Sequence, residues 1–190
     1  VYAAPSVDFE PEYVAVAPDG RKAMVTLQEA NAVALLDIAS ATFTSVLPLG
    51  EKDFSTLLAD FSDRDGAGGT TAINLTTGNP VFGMYMPDAI ASYQVGGQVY
   101  YVTANEGDDR NDFLTPDETT TVGNAGYDLD DATFPNEAAL KNQAALGRLV
   151  VSNATGLRGD TDGDGDIDRI LSYGARSFSI HDATGARVFD

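Results

Sequence analysis

Between residues 160 and 168 the chain reads Asp-Thr-Asp-Gly-Asp-Gly-Asp-Ile-Asp, with a carboxylate at every second position. Acidic side chains at that spacing suit a hard divalent cation. Calcium takes about six to eight oxygen ligands at roughly 2.3–2.6 Å, so a short loop must curl round the ion and offer an oxygen at nearly every other residue. Asp160, Asp162 and Asp164 fall at loop positions one, three and five, and Gly165 follows where the chain must turn sharply. Asp166 is placed to give its backbone carbonyl, and Asp168 to close the shell. Five carboxylates this close repel one another strongly unless a cation sits among them. The competing reading is an acidic, glycine-rich turn solvated by water alone.

The loop departs from an EF-hand, which needs a bidentate Glu at its twelfth position and flanking helices; Leu171 stands there instead. The flanks, Leu146–Ser152 and Arg169–Tyr173, are rich in β-formers. The pattern D-x-D-x-D-G-x-x-D resembles the hairpin calcium loops of integrin-type β-propellers.

Composition narrows the partners. The 190 residues carry 29 Asp and Glu against 11 Lys and Arg, a formal net charge of −18. Such a surface repels nucleic acid and anionic membranes and suits divalent cations. Cysteine is absent, which removes thiolate metal sites and cysteine nucleophiles. No apolar run approaches the length of a membrane-spanning helix, and no signal peptide is present. Use of calcium points outside the cell, to a secreted, cell-surface or periplasmic protein, because weak calcium modules rely on millimolar ion.

The elements that must position these residues are strands. Residues 1–50 predict one four-stranded antiparallel blade: Tyr13–Val16, Lys22–Leu27, Ala32–Ile38 and Thr42–Leu47. Pro18-Asp-Gly20 marks the first turn, since Pro presets φ and Gly accepts a positive one. The pattern partly returns. Pro11–Val16 aligns with Pro87–Ser92, and Gly20–Glu29 with Gly97–Glu106, sharing Val-Thr-x-x-Glu. A second blade is therefore expected over 81–176, and the beginning of a third over 177–190. Insertions are expected at 51–80 and 107–145, the latter with a helix from Pro135 to Leu146 capped by Asn136. The fold class is all-β, a propeller fragment of two to three blades within a single domain. Because propellers close with about four to eight blades, the expected partner of this chain is the remainder of its own propeller.

With these segments in view, the chain resembles the bacterial choice-of-anchor I family, which is related to mesenchyme-specific cell-surface glycoproteins of biomineralising animals. The resemblance rests on Phe9–Gly20, Val25–Asn31, Pro87–Ala91, Val102–Asp108, Gly159–Asp166 and Arg176–Ile180. It implies a secreted or surface-anchored, calcium-dependent β-propeller. Some relatives carry the label alkaline phosphatase or phytase-like esterase.

The repeat sets Glu12 beside Asp88 and Glu29 beside Glu106, with Asp108, Asp109 and Arg110 in the loop after Glu106. Glu12, Asp88 and Asp108 are thus candidates for a second calcium site, and Glu29 and Glu106 for catalysis in which calcium binds a phosphate and a carboxylate activates water. The alternative is that they cap turns and pair with backbone amides. A Ser-His-Asp triad has one available base, His181, and no Gly-x-Ser-x-Gly elbow is present; His181 reads as a partly buried strand residue. Asp63-Arg-Asp65 reads as a surface ion pair. Two functions follow: a calcium-binding propeller with a structural, adhesive or surface-binding role toward a glycan or mineral, or a calcium-dependent phosphoesterase.

Overall fold

The computed structural model describes residues 9–111, 118–154 and 158–190. The start of the chain, Val1–Pro5, lies outside the described residues. The class is all-β. The first seven strands are β1 (Pro11–Val16), β2 (Lys22–Leu27), β3 (Ala32–Asp37), β4 (Thr42–Pro48), β5 (Glu51–Asp53), β6 (Val81–Met84) and β7 (Ile90–Val95). The rest are β8 (Gln98–Asn105), β9 (Thr119–Thr121), β10 (Val150–Ser152), β11 (Ile170–Ser172), β12 (Ser177–Asp182) and β13 (Arg187–Phe189). Among the described residues one α-helix, α1 (Glu137–Leu140), stands between β9 and β10, and a short 3-10 helix, Ala67–Gly69, between β5 and β6. The chain divides into two compact units, one ending its first stretch at Glu51 and adding Met84–Asp108 and Gly174–Asp190, the other formed by Lys52–Gly83 and Asp109–Tyr173.

In the first unit, β1 to β4 form an antiparallel meander in chain order, as expected from residues 1–50. The first turn closes as Pro18-Asp-Gly20 predicts: Gly20 takes a φ of 71°, and its amide reaches the Ala17 carbonyl at 2.8 Å. The central strands β2 and β3 are apolar along both faces. Met24, Val33 and Leu35 pack on one side with Ala15 and Tyr101, while Val25, Leu27, Ala32 and Ala34 pack on the other. Each Val, Leu or Met side chain among them removed from water contributes about 1.5–3 kcal/mol.

The second sheet of this unit runs β7-β8-β12-β13. The repeated hairpin is present, since β7 and β8 pair antiparallel from Ile90↔Thr103 to Val95↔Gln98. The expected new blade at Ser177 is not what forms. β12 instead lies antiparallel to β8, from Ser177↔Asn105 to Asp182↔Tyr100, and β13 folds back to complete a four-stranded sheet. A polar link fixes that pairing: the buried Asn105 side chain donates to Ser177 Oγ at 3.0 Å and Ser179 Oγ at 2.8 Å, and accepts from Thr103 Oγ1 at 3.1 Å. Sequence spacing contains no record of such a bond, so the return of the chain after seventy residues was not readable from it. His181 sits on β12, 1% exposed, with Nδ1 3.3 Å from the Gly185 carbonyl. Burial lowers its pKa and keeps the ring neutral.

The second unit holds a five-stranded sheet, β5-β6-β11-β10-β9, in which β6 and β11 run parallel and the pairs of β10 with β11 and β9 run antiparallel. The predicted blade over 81–176 is therefore split, with β6 in this sheet and β7 and β8 in the other. The predicted insertions are more than surface elaborations. They supply Phe54, Ala59, Val122, Tyr127, Leu129 and Phe134 to a core shared with Val81, Val151, Ile167 and Ile170. The helix predicted over Pro135–Leu146 shrinks to four residues. Asn136 makes no side-chain cap, and Asn142 Oδ1 takes the Ala144 amide at 2.9 Å, a local turn that competes with a further helical turn.

Asn105→Ala strips two hydrogen bonds from the β8–β12 seam, those to Ser177 and Ser179, and a third to Thr103 within β8. It is expected to lower stability by about 2–3 kcal/mol in urea unfolding, against less than about 0.5 kcal/mol for a substitution of exposed Gln98.

Candidate metal centre

The acidic loop hangs between β10 and β11, which pair at Val151↔Ser172. Of the connecting residues, 155–157 lie outside the described ones. From Gly159 onward the loop is closed by its own backbone. The amides of Asp168 and Arg169 both reach the Gly159 carbonyl at 3.0 Å. Gly159, Gly163 and Gly165 take φ values of 89°, 86° and 107°, a region that side-chain-bearing residues rarely enter. These glycines let the chain wind tightly enough for its aspartates to converge. A parallel bridge between Leu129 and Ile167 ties the loop to a second acidic segment, with the Ile167 amide on the Asp128 carbonyl at 2.8 Å and the Asp130 amide on the Ile167 carbonyl at 3.1 Å.

Carboxylate oxygens of Asp160, Asp162 and Asp168 all lie within 4.8 Å of one another. Two ligands on opposite sides of one calcium ion stand about 5 Å apart at most, twice the bond length. The three oxygens therefore fit a single coordination sphere. Backbone amides orient them. Asp160 accepts from Gly163 at 2.7 Å and Gly165 at 3.2 Å, and Asp168 accepts the amide and hydroxyl of Thr161, each at 2.7 Å. A carboxylate has about four lone-pair sites, so these bonds leave capacity for an ion. Asp164 and Asp166 stand outside this trio. Asp164 takes the Asp166 amide at 3.2 Å, and Asp166 Oδ1 is buried without a hydrogen-bond partner among the described residues. Burial, then the hydrogen bond and charge of Asp164, push the Asp166 carboxyl up to about 6, with Asp130 and Asp168 adding to it.

The second predicted group is rearranged. Glu12 and Glu29 come together, joined by Glu10, with carboxylate oxygens within 4.8 Å of one another. Asp108 is close enough to act on Glu29, whose carboxyl burial and these three neighbours push up to about 7 against a smaller pull from its own backbone amide. Asp88 and Glu106 are not among the three. Asp88 contributes backbone instead, its carbonyl accepting from Thr26 Oγ1 at 2.9 Å. Glu106 points to solvent, and its carbonyl packs on Gly174. In the loop after Glu106, Arg110 forms a two-pronged pair with Glu118 at 2.7 and 2.8 Å. Asp63 carries the expected surface ion pairs, with Arg64 at 3.0 Å and Arg148 at 2.7 Å.

Sequence reasoning missed Glu10 and Asp130. Glu10 lies just before β1 and does not recur in the aligned repeat, so periodicity gave no cue. Asp130 stands in the acidic run Asp128-Leu-Asp-Asp131, but nothing local says that this run bridges to Ile167.

These features define an all-β protein with carboxylates gathered at strand ends. The choice-of-anchor I domain matches residues 2–190, and the chain belongs to that family. Membership makes it an extracellular or cell-surface protein. No curated protein and no solved structure matches the chain. Among the described residues no helix is long and apolar enough to cross a membrane.

A Cβ at Gly159 would collide with the Arg169 carbonyl, and the residue's φ of 89° disfavours any side chain. Gly159→Ala is expected to cost about 2–3 kcal/mol of stability in chemical denaturation. Gly163→Ala meets open space and pays only for its φ of 86°, about 1–2 kcal/mol.

Proposed function

We propose that the protein is an extracellular calcium-binding module, part of a β-propeller, in which the Asp160–Asp168 loop holds a structural Ca2+ ion. The convergence of Asp160, Asp162 and Asp168 carries this reading, because a glycine-wound loop spends backbone hydrogen bonds on holding like charges together. Asp160, Asp162 and Asp168 are the side-chain ligands. Asp164 and the Asp166 carbonyl stand next in the loop to complete an oxygen shell. A bound ion neutralises the cluster and fixes the register of β10 against β11, which rests on short strands of three residues each.

Two four-stranded antiparallel sheets, one containing a repeat of the other's first hairpin, support the propeller reading. Exposed Phe43, Phe178 and Phe189 suit a surface that packs against further sheets of the same propeller. The role that follows is structural or adhesive, toward a surface glycan or mineral, on a face too acidic for nucleic acid. The phosphoesterase alternative would draw on Glu29 and Glu106, and Glu106 does not gather with Glu29.

Calcium is expected to raise the melting temperature of the chelator-treated chain. At a hundredfold excess over the dissociation constant the stabilisation is about 2.7 kcal/mol. Asp162→Asn, whose side chain is exposed, should leave the metal-free melt nearly unchanged and abolish most of the calcium-induced rise in scanning calorimetry. An unshifted melt at millimolar calcium would contradict the reading.

A further inference from the structure

β1 and β2 pair antiparallel with Pro11 opposite Leu27, so the entry to β1 and the turn after β2 share one end of the sheet. That register brings Glu10 and Glu12, one on either side of Pro11, to Glu29, two residues beyond Leu27. Glu29 is 9% exposed, and its Oε2 is buried without a hydrogen-bond partner among the described residues. The charges acting most strongly on it are those of Glu10, Glu12 and Asp108, all carboxylates. A buried acidic oxygen aimed into a group of acids and left unbonded is costly unless a ligand of positive charge completes it. Hard oxygen donors alone make up the set, which excludes a soft metal and fits a cation of the calcium type.

We propose that Glu10, Glu12 and Glu29 form a second divalent-cation site, separate from the aspartate loop, with Asp108 adding charge at its margin. The ion would clasp the start of β1 to the β2–β3 turn. β1 needs such a clasp: it is an edge strand whose Tyr13, Val14 and Val16 are half exposed, and its register slips between Pro11 and Val14. The side chain of Thr26 helps from the same end, accepting the Tyr13 amide at 3.0 Å.

Equilibrium dialysis of the full chain against radioactive calcium, after chelator treatment, tests this. Wild type should hold two ions per chain, and Asp160→Asn/Asp162→Asn one. Adding Glu29→Gln to that double variant should remove the remaining ion, and adding Glu12→Gln should weaken it at least tenfold. Circular dichroism checks folding, and Glu12, being exposed, decides the matter if the Glu29 variant fails to fold. If the loop instead holds no ion, the double variant will match wild type while Glu29→Gln still lowers the stoichiometry by one. Calcium binding left unchanged by Glu12→Gln, or by a folded Glu29→Gln, overturns the proposal.

Discussion

Like charges held closer than water alone would favour are the constraint on which this molecule turns. An excess of 18 negative charges is tolerable when spread over a surface. Here part of it is concentrated, in the aspartate loop and in the glutamate group beside β1. Repulsion between carboxylates falls slowly with distance in a poorly solvated pocket, so the scaffold must hold them against it. Glycines in left-handed conformations and amides turned onto carboxylate oxygens do so in the loop, and strand register does so beside β1.

The sheets are built to different rules around these two groups. In the first unit long antiparallel strands with apolar cores on both faces of β2 and β3 give a firm frame, and acids sit where the strands begin and end. In the second, strands of three or four residues surround an aromatic and aliphatic core drawn from distant segments. Short strands bury little area each, and their register depends on what joins them. Between β10 and β11, joined by a single described residue pair, the loop closed on the Gly159 carbonyl is part of that connection.

Local features were legible in the sequence. The four strands of the meander, the Pro18-Asp-Gly20 turn, the repeated hairpin and the winding of the aspartate loop all follow from alternation, turn chemistry and spacing within a few residues. Long-range partners were not. That β12 returns to β8 depends on Asn105 meeting Ser177 and Ser179. That β6 runs parallel to β11, and that the predicted insertions form a core, depends on pairings across many tens of residues. The glutamate group beside β1 was half legible: Glu12 and Glu29 follow from the repeat, whereas Glu10 joins them only through the chain's approach to Pro11, and Glu106 leaves because its side chain turns outward.

The most direct measurement is an anomalous-difference electron density map from crystals grown in millimolar calcium. The account predicts a peak within about 2.3–2.6 Å of carboxylate oxygens from Asp160, Asp162 and Asp168. A map featureless at that loop, with the three side chains still converged, would contradict it.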